Sequence, residues 1–134
     1  LDTIGDWWSL LIIRDAFDGM RRFGEFQKSL GVAKGILSAR LNSLVNADVL
    51  ALVPASNGSA YKEYVLTEKG RGLFHVIVGL RQWGEAHLFG PGEPHSELID
   101  IAAGQPVGPL EFHSLDGRLL DWEDTVVRKV STKT

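Results

Sequence analysis

With 134 residues, 44% of them hydrophobic and 23% charged, the chain has the balance of one soluble globular domain with room for a small appendage. No apolar run approaches the roughly 18 residues that cross a bilayer, and no charged segment followed by an apolar stretch and a small-residue cleavage site opens it. The lack of cysteine excludes disulfides and thiol chemistry within these residues, and a net charge of −3 argues at first against a nucleic-acid partner, because phosphate neutralisation supplies most non-specific affinity.

A soluble cytoplasmic protein with no membrane partner is therefore expected. Because the chain starts at Leu1 with no initiator Met, some N-terminal residues are expected to be missing. Asp6 is a good N-cap for the run from Trp7, and Gly19 supplies a stop, which predicts a first helix over about residues 6 to 18. Its apolar residues, Trp7, Trp8, Leu10, Leu11, Ile12, Ile13 and Phe17, cover more than one stripe, so one face is expected to pack outside its own domain. Phe23, Phe26 and Leu30 then mark a short amphipathic helix that ends at Gly31.

The next helix, 34 to 46, places Ile36, Leu37, Leu41, Leu44 and Val45 on one face. Its other face is polar, with Lys34, Ser38, Asn42 and Ser43 beside Ala39 and Arg40. Two strand-like runs within residues 51 to 66, separated by Pro54, Asn57 and Gly58, read as a hairpin. Thr67 with Glu68 caps a further helix carrying Leu73, Phe74, Ile77, Leu80 and Trp83, although Gly70, Gly72 and Gly79 each disfavour it by roughly 1 kcal/mol unless they permit close approach. The run "GPGEPH" at 90 to 95 marks a boundary, so the chain divides into a domain 1 to 89 and a β-rich extension 90 to 134 with two or three short strands. Leu98, Ile99, Ile101, Phe112, Leu119, Leu120 and Trp122 are expected to pack that extension as a metal-free hairpin.

Three helices, a two-stranded wing and a last helix make an α+β winged helix-turn-helix domain. In that arrangement the second helix of the motif fits the major groove and the hairpin reaches towards neighbouring phosphates. The charge partition agrees. Residues 1 to 90 carry a net +1 and residues 91 to 134 a net −4, while residues 20 to 71 hold eight basic against four acidic groups.

The segments "IGDWWSLLIIRDAFDGMRRFGEFQKSLG", "ILSARLNSLVNADVL", "EYVLTEKGRGL" and "LRQWGEAH" resemble the HxlR-type regulators, small bacterial transcription factors, over about residues 4 to 88. The resemblance implies a homodimer on a pseudopalindromic double-stranded DNA operator; no cofactor is expected, and the lack of cysteine argues against a bound metal. It assigns DNA contact to Arg21, Arg22, Lys34, Ser38, Ala39, Arg40, Asn42 and Lys62, Arg40 being either a phosphate contact or a structural ion pair. The dimer interface would involve Trp7, Trp8, Leu11, Phe74, Ile77, Leu80 and Trp83, whose aromatic members could line a pocket for a small-molecule effector or be ordinary core.

The sequence departs from the family pattern at several points. Ala33 stands where a Ser or Thr cap is usual, Gly35 and Asn42 replace residues that are more often basic, and Asp48 takes the place of a Gly, a substitution Asp tolerates better than most in a left-handed conformation. The wing tip carries no Lys or Arg. Where relatives carry a cysteine cluster in the extension, this chain offers only His113 and Asp116, too few for a structural zinc. No nucleophile triad, phosphate loop or HExxH motif is present, so an enzyme is not expected, and the competing reading is a winged-helix protein-interaction module.

Overall fold

The computed structural model describes residues 3–131. Helix α1 (Trp7–Phe17) starts where the Ser9 N–H donates to the Asp6 carboxylate at 2.9 Å and the Ser9 hydroxyl donates to its other oxygen at 2.5 Å. Helix α2 (Phe23–Leu30) opens on Glu25, whose carboxylate accepts the Arg21 and Arg22 N–H groups at 3.1 and 2.9 Å, and closes on Gly31 at φ 62°. Helix α3 (Lys34–Asn46) has no side-chain cap at Ala33, as the sequence implies. Asp48 follows it at φ 63°, the left-handed turn anticipated for this position.

The core lies between these helices and the start of the wing. Ile12 and Ile13 of α1, Phe26 of α2, and Leu37, Leu41 and Leu44 of α3 are fully buried together with Val49 and Leu50. The 3–4 spacing of the α3 leucines puts them on one stripe, which fixes the opposite stripe outward. Ile36, expected on the buried face, is exposed instead. It lies one position before Leu37, about 100° around the helix, and turns out of the stripe.

Strands β1 (Leu50–Pro54) and β2 (Lys62–Leu66) pair antiparallel, from Leu50 with Leu66 to Pro54 with Lys62. The single helix expected after Thr67 is broken. A four-residue α4 (Glu68–Arg71), capped by the Thr67 hydroxyl accepting the Gly70 N–H at 3.0 Å, gives way at Gly72 to α5 (Phe74–His87). The early glycine has a packing reason: a Cβ on Gly70 would stand 2.1 Å from the Val49 carbonyl oxygen.

The chain packs as two units, Leu1–Arg81 and Gln82–Thr134, and α5 runs from the first into the second. Beyond α5 come two two-stranded pairs of two residues each, β3 (Ile99–Asp100) with β4 (Gln105–Pro106) and β5 (Phe112–His113) with β6 (Leu119–Leu120), then a 3-10 turn at Trp122–Asp124. The core expected for this extension does not form. Ile99, Ile101, Phe112, Leu119 and Trp122 are exposed, and only Leu98 and Leu120 are half-buried. Two-residue strands in isolated pairs have no second layer to close over them.

Candidate nucleic-acid interface

Because Leu37, Leu41 and Leu44 hold α3 from behind, Lys34, Ser38, Ala39 and Asn42 stand exposed on its outer side. That is a lysine, a hydroxyl, a methyl and an amide on one surface, a set able to meet base edges and phosphate together. Arg40 is half-buried at the edge of this surface. Its Nε lies 3.5 Å from Asp6 Oδ1, an ion pair without hydrogen-bond geometry, so α3 is tied electrostatically to the cap of α1. Burial works against the Asp6 charge, but the two bonds from Ser9 and the nearby Arg40 outweigh it and hold the Asp6 carboxyl below its ordinary range.

Arg21 and Arg22 flank a carboxylate on the wing. Arg21 Nη1 is 3.5 Å and Arg22 Nε 3.7 Å from the oxygens of buried Glu63 on β2, and the Arg22 guanidinium also lies 5.7 Å from the centre of the Tyr61 ring. The Ser56 N–H donates to Glu63 at 3.0 Å, and this bond, with the two arginines, keeps the Glu63 carboxyl below its ordinary range against the opposing effect of burial. The Tyr64 N–H donates to the Arg21 carbonyl at 2.7 Å, a backbone stitch between β2 and the start of α2.

Other cations of the basic surplus are also committed. Lys69 Nζ donates to the Ala47 carbonyl at 2.9 Å, at the negative end of α3, and Arg71 Nη1 to the Leu66 carbonyl at 3.1 Å. Lys34 and Lys62 have no partner among the described residues and project into solvent, one from the start of α3 and one at the base of the wing. Sequence reasoning missed the Glu63 and Asp6 anchors, and equally a buried Asp15 that accepts from Arg14 at 3.0 Å and from the Ser29 hydroxyl at 2.7 Å. Only Asp6 had a local signal, its capping position; apart from the neighbouring Arg14 and Asp15, the side-chain pairings join residues at least 14 apart with no spacing rule to reveal them.

Of the residues expected at a dimer interface, Trp7 is 71% exposed, and Phe74, Leu80 and Trp83 are exposed as well. Trp8, Leu11 and Ile77 are half-buried, with Trp8 and Ile77 packed on the core. The Phe74 ring stands 5.4 Å from that of Phe17. Beside Phe17 a cleft of about 310 Å³ is bounded by Met20, Tyr64 and Leu66, with Arg21 and Arg71 at its rim. In the extension, Asp116 accepts from Ser114 and pairs with Arg118 at 3.2 Å, so this carboxylate is already engaged. No helix among the described residues is long and apolar enough to cross a membrane.

A family model described as HxlR-like helix-turn-helix matches residues 3–90. An HTH-type transcriptional regulator of Mycobacterium tuberculosis is 42% identical over 109 residues, covering 81% of this chain and 69% of that protein. Among solved structures, PA1607, a proposed transcription factor, is similar with a TM-score of 0.90 at 55% identity, over 97% of this chain and 91% of its own. PA1374, a proposed transcription factor of Pseudomonas aeruginosa, is similar with a TM-score of 0.67 at 35% identity, over 100% of this chain and 91% of its own.

Proposed function

Because this chain belongs to the HxlR-like helix-turn-helix family of DNA-binding transcriptional regulators, we propose that it binds a pseudopalindromic operator as a cytoplasmic homodimer. In this reading α3 enters the major groove with Lys34, Ser38, Ala39 and Asn42, while Lys62 meets phosphate beside it. Arg21, Arg22 and Arg40 contribute through the guanidinium faces that their carboxylate partners leave open. Residues 1 to 89 form the DNA-binding and dimerisation domain, and residues 90 to 134 the extension. The dimer forms through Trp7, Trp8, Leu11, Phe74, Ile77, Leu80 and Trp83, whose aromatic members line a pocket for a small-molecule effector of unknown identity. The two copies of α3 would then address successive major grooves about 34 Å apart.

The observation that carries the reading is the division of α3 into a stripe of fully buried leucines and an opposite surface of Lys34, Ser38 and Asn42. The bare wing tip and the pairing of Arg21 and Arg22 with Glu63 favour the second reading, a protein-interaction module. Electrophoretic mobility shift on the upstream region of the protein's own gene, repeated across salt concentrations, separates the two. A regulator gives saturable, sequence-dependent binding whose logarithm falls linearly with log salt, and an interaction module gives none. The variant K34A/R40A is expected to abolish specific binding while sedimentation still reports a dimer.

A further inference from the structure

Ile36 stands apart on α3. Its spacing groups it with the core leucines, yet it is 44% exposed while Leu37, Leu41 and Leu44 are buried. Residues four apart line up as rows along a helix. On α3, Lys34, Ser38 and Asn42 form a polar row, Gly35 and Ala39 a bare one, Ile36 and Arg40 a third, and Leu37 and Leu41 the buried one. Ile36 also lies three residues before Ala39, so these two side chains are neighbours on the outer surface.

The surroundings of Ile36 define what it meets. Helix α3 contains no Asp or Glu, and among the described residues Lys34, Ser38 and Asn42 have no side-chain partner, so a duplex finds a cation and unused polar groups there and no opposing charge. No atom lies within 4 Å of where a Cβ on Gly35 would stand, which leaves the helix backbone beside Ile36 and Ala39 open to close approach. Ile36 belongs to the first turn, the end of a recognition helix that contacts base edges. Its β-branched side chain holds one preferred rotamer in a helix, so docking it costs little entropy.

A single aliphatic side chain is too small to form the core of a protein interface, which takes roughly 800 Å² from each partner. It matches a smaller feature. In the major groove thymine alone among the four bases presents a methyl group, and apolar side chains read that methyl by contact. We propose that Ile36, with the Ala39 methyl beside it, reads the C5-methyl of a thymine in each operator half-site. The proposal rests on the DNA-binding reading above and adds to it a base-reading residue and the base it selects. It holds for one copy of α3 as for two.

Duplexes selected by the full chain from a random DNA library supply the sites for the test. Each thymine of a selected duplex is replaced in turn by deoxyuridine, which keeps every hydrogen bond of the pair and removes only the methyl. One thymine in each half-site is expected to raise Kd about fourfold when replaced, the worth of one buried methyl. In I36A, with an unchanged circular dichroism spectrum, the thymine and uracil duplexes are expected to bind equally, whereas in K34A both bind more weakly and the ratio remains. Sequence-specific binding in which every replacement costs less than twofold overturns the methyl reading and leaves DNA binding standing. A ratio that survives in I36A gives the methyl to another residue and also overturns it. A library from which no sequence is enriched overturns both readings.

Discussion

In the proposed DNA interface, Glu63 sets how much positive charge is offered. Its carboxylate lies within 3.7 Å of Arg21 and Arg22, so their charge is partly spent before any phosphate arrives. In E63Q both guanidiniums are released, and the log–log salt slope of DNA binding should steepen by about 0.9 for each arginine that reaches a phosphate. Acid sensitivity should change as well. A carboxyl whose folded pKa is depressed adds stability that is complete above its unfolded value and lost as pH falls through the folded one. The gap in urea midpoint between wild type and E63Q should therefore be flat from pH 7 to about 5 and shrink below about 4, where ordinary carboxyls titrate. Asp6 shares this depression and also caps α1, so D6A is expected to lower stability by about 1 kcal/mol in urea titration, the usual cost of a lost cap.

At the scale of elements, two glycines on helices make opposite predictions. Gly35 on α3 has open space where a Cβ would go, so G35A should stabilise the fold by roughly 0.5–1 kcal/mol through helix propensity alone. Gly70 has the Val49 carbonyl in that place, and G70A should destabilise by roughly 1–3 kcal/mol, both values read from urea unfolding. These cases also show what the sequence made legible. Local rules carried the Asp6 cap, the Leu37, Leu41 and Leu44 stripe, the wing hairpin and the left-handed Asp48, because each is read from caps, turn residues or a short periodic pattern along one stretch of chain. They could not show that Gly70 meets Val49, that Arg40 reaches Asp6 or that Arg21 reaches Glu63, since those partners are set by how the elements pack. The expected core of the extension failed for a related reason: alternating apolar residues report a face, not what covers it.

For the whole molecule, the net charge of −3 conceals a chain whose acidic excess lies beyond residue 90 and whose helix-turn-helix region is basic. A protein that folds together with a second copy gains stability by mass action. Its midpoint of thermal unfolding should therefore rise with concentration over a hundredfold range in scanning calorimetry, and a midpoint independent of concentration would count against the dimer.

The bond from the Ser56 N–H to Glu63 ties the turn of the wing to the same carboxylate that faces the arginines ahead of α2, and the Tyr64 N–H stitches β2 to Arg21. A wing fastened at both places has surrendered its freedom during folding, not on meeting a duplex. Association should then carry little ordering entropy from this hairpin, and its amide hydrogens should exchange about as slowly in the free protein as in the complex.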